Sequence, residues 1–387
     1  MMLVEEARTP CSANASCHSP KRILVSAGEP SADLHAAGVI SVLRDRFPES
    51  RFSGLGGPRM VAAGAGLTTR METLTTIGFT QVARTLPAHV RLLSAMRREL
   101  AQGRTDMVLL TDYPGLHLRV AREAAKYGVP VLYYIAPQMW AWGERRVSVL
   151  RDVVTHLAVI LPFEEQFFSR RGVRTTFVGH PLLDRKRPTA QEARRAVGLG
   201  ASTPVLGLFP GSRKTEVRRL WPILREAARL VRKSVPEVEV VVATMPGLKY
   251  HGGDGFRLWA ADSPTVMAVS NAAICKSGTS TLEAVLADTP MVICYRMDAI
   301  SYAIAKRVVR CPHIGLVNLV AGREVAPEYI QGAATAEQLA RHVLVLLDSD
   351  GREGSRQRDA FALVRERLGT PGASRRVADL AAGLMGS

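Results

Sequence analysis

Near-continuous apolar runs alternate with amphipathic stretches along this chain, and the alternation starts over about halfway. Arg22–Ala27 (RILVSA), Met107–Thr111 (MVLLT), Val129–Ile135, His156–Leu161 and Thr175–Val178 read as strands. Ala32–Phe47 and Leu116–Tyr127 read as helices between them. Short apolar runs without alternation are the mark of parallel strands covered on both faces. The second series has strands at Pro204–Phe209, Val238–Thr244, Ala272–Cys275 and Met291–Tyr295, with helices at Lys214–Lys233 and Thr279–Ala287. From Thr335 onward the pattern is mostly helical.

Two α/β series in 387 residues predict two cores rather than one. The polar stretch Leu182–Ser202, with Pro188 and Gly198, separates them. The expected organisation is a disordered extension over 1–20, a first domain over 21–190 and a second over 191–350. Helices over 351–387 are expected to pack back on the first domain. In doubly wound folds ligands sit outside the carboxyl ends of the strands, so the loops after the strands are where chemistry is expected.

The formal charge is +16, from 51 Lys+Arg against 35 Asp+Glu. Such an excess favours anionic partners without choosing among nucleic acid, anionic lipid and phosphate-bearing substrates. Five cysteines, Cys11, Cys17, Cys275, Cys294 and Cys311, form no C-x-x-C pair. That disfavours a disulfide framework or zinc site and suits a reducing cytoplasm. No run approaches the ~20 apolar residues of a membrane-spanning helix, so the expectation is a soluble protein or one that binds a membrane from one side. Residues 1–20 make a poor secretory signal.

Several loops carry candidate chemistry. Gly28–Asp33 (GEPSAD) follows the first strand; Ser31 could cap the next helix, and Glu29 has no evident structural duty. Phe52–Met60 (FSGLGGPRM) reads as a glycine-rich loop, without the dinucleotide fingerprint. Asp112 ends a strand and reads equally as a general base or a helix cap. Ile135–Trp142 (IAPQMWAW) offers two tryptophans, for ligand contact or for packing. Gly211, Ser212 and Arg213 form a strand-to-helix turn suited to a pyrophosphate, with Glu216 in the first helical turn. Lys276-Ser277-Gly278-Thr279 repeats that arrangement, and Glu283 beyond it could accept ribose hydroxyls. His180 is a further loop residue at a strand end.

Taken in order, AGEPSADLHA, GLGGPRM, TDYPG, YYIAPQMWAWGERRV, LPFE, FVGHPLLD, LFPGSRKTEV, KSGTSTLEAVLADTPMVICYRM and IGLVNLVAGREVAPEYIQ resemble the lipid-A-disaccharide synthase family, over roughly residues 22 to 331. The resemblance implies the GT-B fold, two facing Rossmann-like domains with parallel sheets and a cleft between them. It implies transfer of 2,3-diacylglucosamine from UDP-2,3-diacylglucosamine to 2,3-diacylglucosamine 1-phosphate, giving the β-1,6-linked disaccharide 1-phosphate and UDP. It assigns Glu29 and Asp112 to catalysis. On the substrate it places Arg213, Glu216 and Asn318, with Ser277, Gly278, Thr279 and Glu283 in the UDP-binding turn. Inversion at the sugar carbon needs a base opposite UDP, with Asp112 the candidate and Glu29 its rival. No cofactor, no metal and no nucleic acid are expected.

The motifs depart from the family at Ala32, where a glycine is common, and at Gly115 and His117, where other members carry Asp and Asn. The segment Pro246–Ser270 looks short, as if a helix were missing or abbreviated. Lipid substrates imply a peripheral enzyme on the cytoplasmic face of the inner membrane. Leu86, Val90, Leu93 and Leu100, flanked by Arg91, Arg97 and Arg98, make a basic amphipathic helix that would either lie on that membrane or pack on the sheet. A homodimer is left open. Alternative readings are another GT-B UDP-sugar transferase or epimerase, a basic nucleic-acid-binding protein, and an inactive homologue.

Overall fold

A computed structural model describes residues 20–71, 82–260, 262–309, 311–348 and 351–386. The expected extension over 1–20 lies outside them, apart from Pro20. The first series of elements is β1 (Arg22–Ala27), α1 (Pro30–Arg46), β2 (Arg51–Gly56), α2 (Pro58–Ala62), β3 (Thr69–Arg70) and α3 (Val82–Ala101). It continues with β4 (Met107–Thr111), α4 (Pro114–Lys126), β5 (Val131–Tyr134), α5 (Met139–Trp142), α6 (Val147–Val153), β6 (His156–Val159), α7 (Pro162–Ser169) and β7 (Thr175–Phe177). These strands form one sheet in the order β3-β2-β1-β4-β5-β6-β7. β1 pairs in parallel with both β2 and β4, in the register Ala27 to Thr111 at its carboxyl end. Every residue of β4 is buried, which is why its sequence is a continuous apolar run.

The second series is α8 (Ala190–Val197), β8 (Val205–Phe209), α9 (Lys214–Ser234), β9 (Glu239–Thr244), β10 (Arg257–Ala260), α10 (Ser263–Val269) and β11 (Ala272–Lys276). After it come α11 (Ser280–Leu286), β12 (Met291–Tyr295), α12 (Ala299–Val308), α13 (Leu316–Ala321), β13 (Glu328–Ile330), α14 (Ala336–Leu347), α15 (Arg352–Arg367) and α16 (Ala373–Gly386). Its sheet runs β10-β9-β8-β11-β12-β13, all in parallel. Successive β8 residues feed opposite faces. Val205 and Phe209 join the core against α8, α10 and α11, while Leu206 and Leu208 join the core against α9 and α14. In each sheet the strand order reverses once, between β1 and β4 and between β8 and β11. These are topological switch points, and the loops leaving the four strands are the ones read above as chemical.

By backbone proximity the chain gathers into two compact units. One holds the residues through Tyr133 with Val153–Thr155 and the chain from Ala378. The other holds Tyr134–Asp152 and His156–Val377. In the first unit, Arg46 pairs with Asp379, and Lys21 Nζ donates to the Met385 carbonyl at 3.0 Å.

Two expectations are corrected. Phe52–Gly56 is strand β2, not loop; its glycines disguise it, and the turn shrinks to Gly57 before α2. Ser31 does not cap α1, because the helix starts at Pro30 and Glu29 is the N-cap position. Pro246–Ser270, read as short of a helix, holds β10 and the seven-residue α10, and among the described residues no helix lies between β9 and β10. In α3 the packed face is Leu92, Met96 and Leu100, so Leu100 is core, whereas Val90 is 57% exposed. The Leu86 side chain lies outside the described residues.

Candidate active site

The ends of β1 and β4 bring Glu29 and Asp112 into one neighbourhood. Asp112 and Tyr113 are consecutive non-glycine residues with φ of 54° and 55°. A left-handed residue other than glycine costs of order 1–2 kcal/mol, so two in succession require outside support. Tyr133 Oη donates to the Asp112 carbonyl at 2.8 Å, and His117 Nδ1 bonds the same oxygen. Because a carbonyl only accepts, Nδ1 carries the proton, and Nε2 accepts from Ser26 Oγ at 2.7 Å. His117 is fully buried, and burial lowers its pKa to about 3. The imidazole is thus a neutral strut beneath the Asp112 backbone.

Tyr113 folds over the turn after β1. A Cβ added at Gly28 would stand 2.6 Å from the Tyr113 ring, so only glycine lets the ring lie there. The Tyr113 hydroxyl bonds His89 Nε2 at 2.7 Å. Its pKa is raised by burial and, second, by the charge of Glu29. Asp33, one turn after Glu29, is 1% exposed and accepts from the amides of Gly57, Arg59 and Met60 at 2.8 to 3.1 Å. It anchors the start of α2, a duty the sequence reading missed.

In the second sheet the two predicted turns follow the adjacent strands β8 and β11. Glu216 Oε2 accepts from the amides of Ser212 and Arg213 at 3.1 and 3.2 Å. Its other oxygen lies 2.9 Å from Lys276 Nζ. Gly211 has φ of +115°, and a Cβ there would stand 2.6 Å from Glu216 Oε2. Glu216 therefore sits inside the turn and shapes it. Lys276, which the sequence reading placed in the second turn without giving it a role, joins the two turns and lies 5.7 Å from the Tyr295 ring centroid. Ser212 and Arg213 are exposed at the mouth of the first turn. Ser277 Oγ donates to the Ile314 carbonyl at 2.6 Å, and Thr279 is the N-cap residue of α11 without a side-chain cap bond. The Gly278 carbonyl accepts from Thr281 Oγ1 at 2.8 Å.

Glu283 faces away from that junction. It accepts from Ser263 Oγ at 2.8 Å, has Arg185 Nη1 at 3.8 Å, and burial raises its pKa. It lines a cavity of about 320 Å³ with Leu182, Arg185, Pro264, Met267 and Leu286.

Asn318, expected on the substrate, is fully buried. Its amide donates to the Ala326 carbonyl at 2.7 Å and to Glu328 Oε1 at 2.8 Å, and its oxygen accepts from the amides of Val325 and Ala326. That uses both donors and both acceptor sites, so the expected ligand contact is corrected to a positioning role. Glu328, missed in the sequence, also accepts from the amides of Ile314 and Gly315 and thereby holds the entry to α13. Of the two tryptophans, Trp140 is packed, with Nε1 donating to Glu164 at 3.0 Å and its ring against Phe163. Trp142 is 49% exposed. His180 is buried and accepts at Nδ1 from the Leu182 amide.

With this geometry in hand, likeness to known proteins is informative. The family profile described as lipid-A-disaccharide synthetase matches residues 23–378. The lipid-A-disaccharide synthase of Syntrophus aciditrophicus (strain SB) is 38% identical over 372 residues, covering 93% of this chain and 97% of that protein. That of Anaeromyxobacter sp. (strain K) is 39% identical over 383 residues, covering 95% and 99%. Among solved structures, MurG of Acinetobacter baumannii aligns with a TM-score of 0.57 at 15% identity, over 94% of this chain and all of that one. The UDP-GlcNAc 2-epimerase of Neisseria meningitidis, bound to UDP-GlcNAc, aligns at 0.63 and 11%, over 94% and 100%. At such identities these two speak for the fold alone, which is GT-B.

Proposed function

We take as premise that this chain belongs to the lipid-A-disaccharide synthase family, and propose from it how the residues above divide the work. The enzyme is a hexosyltransferase that moves 2,3-diacylglucosamine from its UDP donor to 2,3-diacylglucosamine 1-phosphate. A bond forms between the acceptor's 6-oxygen and the donor's anomeric carbon, and the bond from that carbon to the diphosphate oxygen breaks with inversion. The acceptor hydroxyl proton passes to a carboxylate, for which Asp112 is our candidate and Glu29 its neighbour. The electron pair leaves with UDP. Arg213, the amides of the Gly211–Arg213 turn and Lys276 are the groups suited to offset the charge that develops there. Glu283, with Ser277, Gly278 and Thr279, is assigned to the nucleoside end. We divide the chain functionally into an acceptor half, 21–190, and a donor half, 191–350.

The observation that carries this reading is the pair of turns after β8 and β11, joined through Glu216 and Lys276 at 2.9 Å. Both substrates are lipids, so the reading includes action at a membrane surface, the cytoplasmic face of the inner membrane. No described helix is long and apolar enough to cross a membrane. A homodimer belongs to the same proposal, and light scattering of the purified protein decides it. The test of the division of labour is Asp112→Asn. It is expected to lower turnover about 100-fold or more, the scale of a lost general base, while UDP affinity by calorimetry stays within a factor of about two. Loss of UDP binding in that variant would remove Asp112 from the role of base.

A further inference from the structure

Helix α12 leaves the carboxyl end of β12 and buries none of its residues. Ile300, Ile304 and Val308 are 75%, 57% and 46% exposed. Their spacing of four puts them within an arc of about 80° on one side of the helix. Single exposed apolar residues are ordinary, but three in register along one helix are a stripe, and stripes of this kind mark interaction surfaces. No acidic residue occurs between Ala299 and Val309, and of the two exposed cations there Arg307 lies beside the stripe while Lys306 points to the far side of the helix. An apolar stripe edged by a cation and free of anions matches the headgroup region of an anionic bilayer, where the apolar side inserts and the long basic side chain reaches the phosphates.

The helix is also anchored where such a contact would matter. Its N-cap Asp298 pairs with Arg219 of α9, the helix that opens at Arg213. Tyr295, four residues before the start of the helix, lies against Lys276. At the far end, Cys311 Sγ sits 3.9 Å from the Trp140 carbonyl, so the short helix carrying the exposed Trp142 adjoins the chain that leaves α12. Tryptophan is the side chain most at home at a membrane–water boundary.

We propose that α12 is a membrane-docking element, whose Ile300, Ile304 and Val308 enter an anionic lipid surface with Arg307 on the headgroups. This rests on the lipid-substrate reading only for the choice of occupant. It places a bilayer beside the two turns read as diphosphate-binding, where a UDP-linked lipid would be drawn out of the membrane.

The test uses the full chain with vesicles of phosphatidylcholine, with and without phosphatidylglycerol. Wild-type protein is expected to sediment with the anionic vesicles and to be released by salt. I300E/I304E and R307E should each lower that partition roughly tenfold or more, with melting temperature and UDP affinity unchanged. Unchanged partition in I300E/I304E, or equal retention on uncharged vesicles, would overturn the proposal. So would a dimer in solution that I300E/I304E converts to monomer, which would identify a second copy as the occupant. Absence of vesicle binding by the wild type would also overturn it, and detergent-solubilised disaccharide formation would then still stand as a separate result for the enzymatic reading.

Discussion

Burial holds His117 uncharged to a pKa of about 3, against about 6.5 for an unfolded histidine. Between those values the unfolded chain binds more protons, so stability is full above about pH 6.5 and falls as the pH drops below it. The slope from this one group is up to roughly 1.4 kcal/mol per pH unit. His117→Asn is expected to flatten the decline of melting temperature between pH 6.5 and 4; an identical slope would show that His117 is not the group responsible. Asn318→Ala strands the amides of Val325 and Ala326 and an oxygen of Glu328, at about 1–3 kcal/mol for each buried group left unpaired. Thermal unfolding should show a fall of several degrees, and an unchanged midpoint would contradict the assignment. Glu216 and Lys276 are both mostly buried, so a double-mutant cycle of E216Q and K276M should give a coupling of about 1 kcal/mol, and additivity within 0.3 kcal/mol would deny it. The places of Glu29 and Asp112 just after β1 and β4 were legible because each follows an apolar run. The roles of His117 and Asp33 were not, since a buried polar residue takes its meaning from a partner far along the chain, as His117 does from Ser26.

At the scale of elements, β1, β4 and β12 were readable to the residue, because a strand buried on both faces has to be apolar throughout. β3 has two residues, and β10 lies at the edge with Leu258 49% exposed, so neither leaves an apolar run to find. β2 was hidden by its glycines. The segment after β9 was read as abbreviated, and what orders it comes from another element. Arg225, Arg229 and Arg232 stand along α9 and donate to the carbonyls of His251, Gly252 and Gly255 at 2.9 to 3.2 Å, beside the Trp221 bond to His251. Replacing all three arginines with alanine should speed amide hydrogen exchange across residues 250–256 while leaving β8 protected. Equal exchange in both proteins would mean that Trp221 and Tyr250 hold the segment alone.

For the whole molecule, two parallel sheets with a strand-order reversal in each explain why loops distant in sequence converge after β1 and β4, and after β8 and β11. The repeated apolar rhythm announced two such sheets, but rhythm alone does not choose among GT-B enzymes. The ordered motifs did, and the profile match over residues 23–378 bears them out. The excess charge of +16 is compatible with phosphate-bearing substrates and an anionic surface together. The most direct measurement is UDP release by purified protein given UDP-2,3-diacylglucosamine, with and without 2,3-diacylglucosamine 1-phosphate, followed by mass spectrometry of the lipid product. The account predicts release that depends on the acceptor and a disaccharide 1-phosphate of the summed mass less UDP. UDP binding without acceptor-dependent release would contradict it, and would point to a transferase of the same fold with a different acceptor.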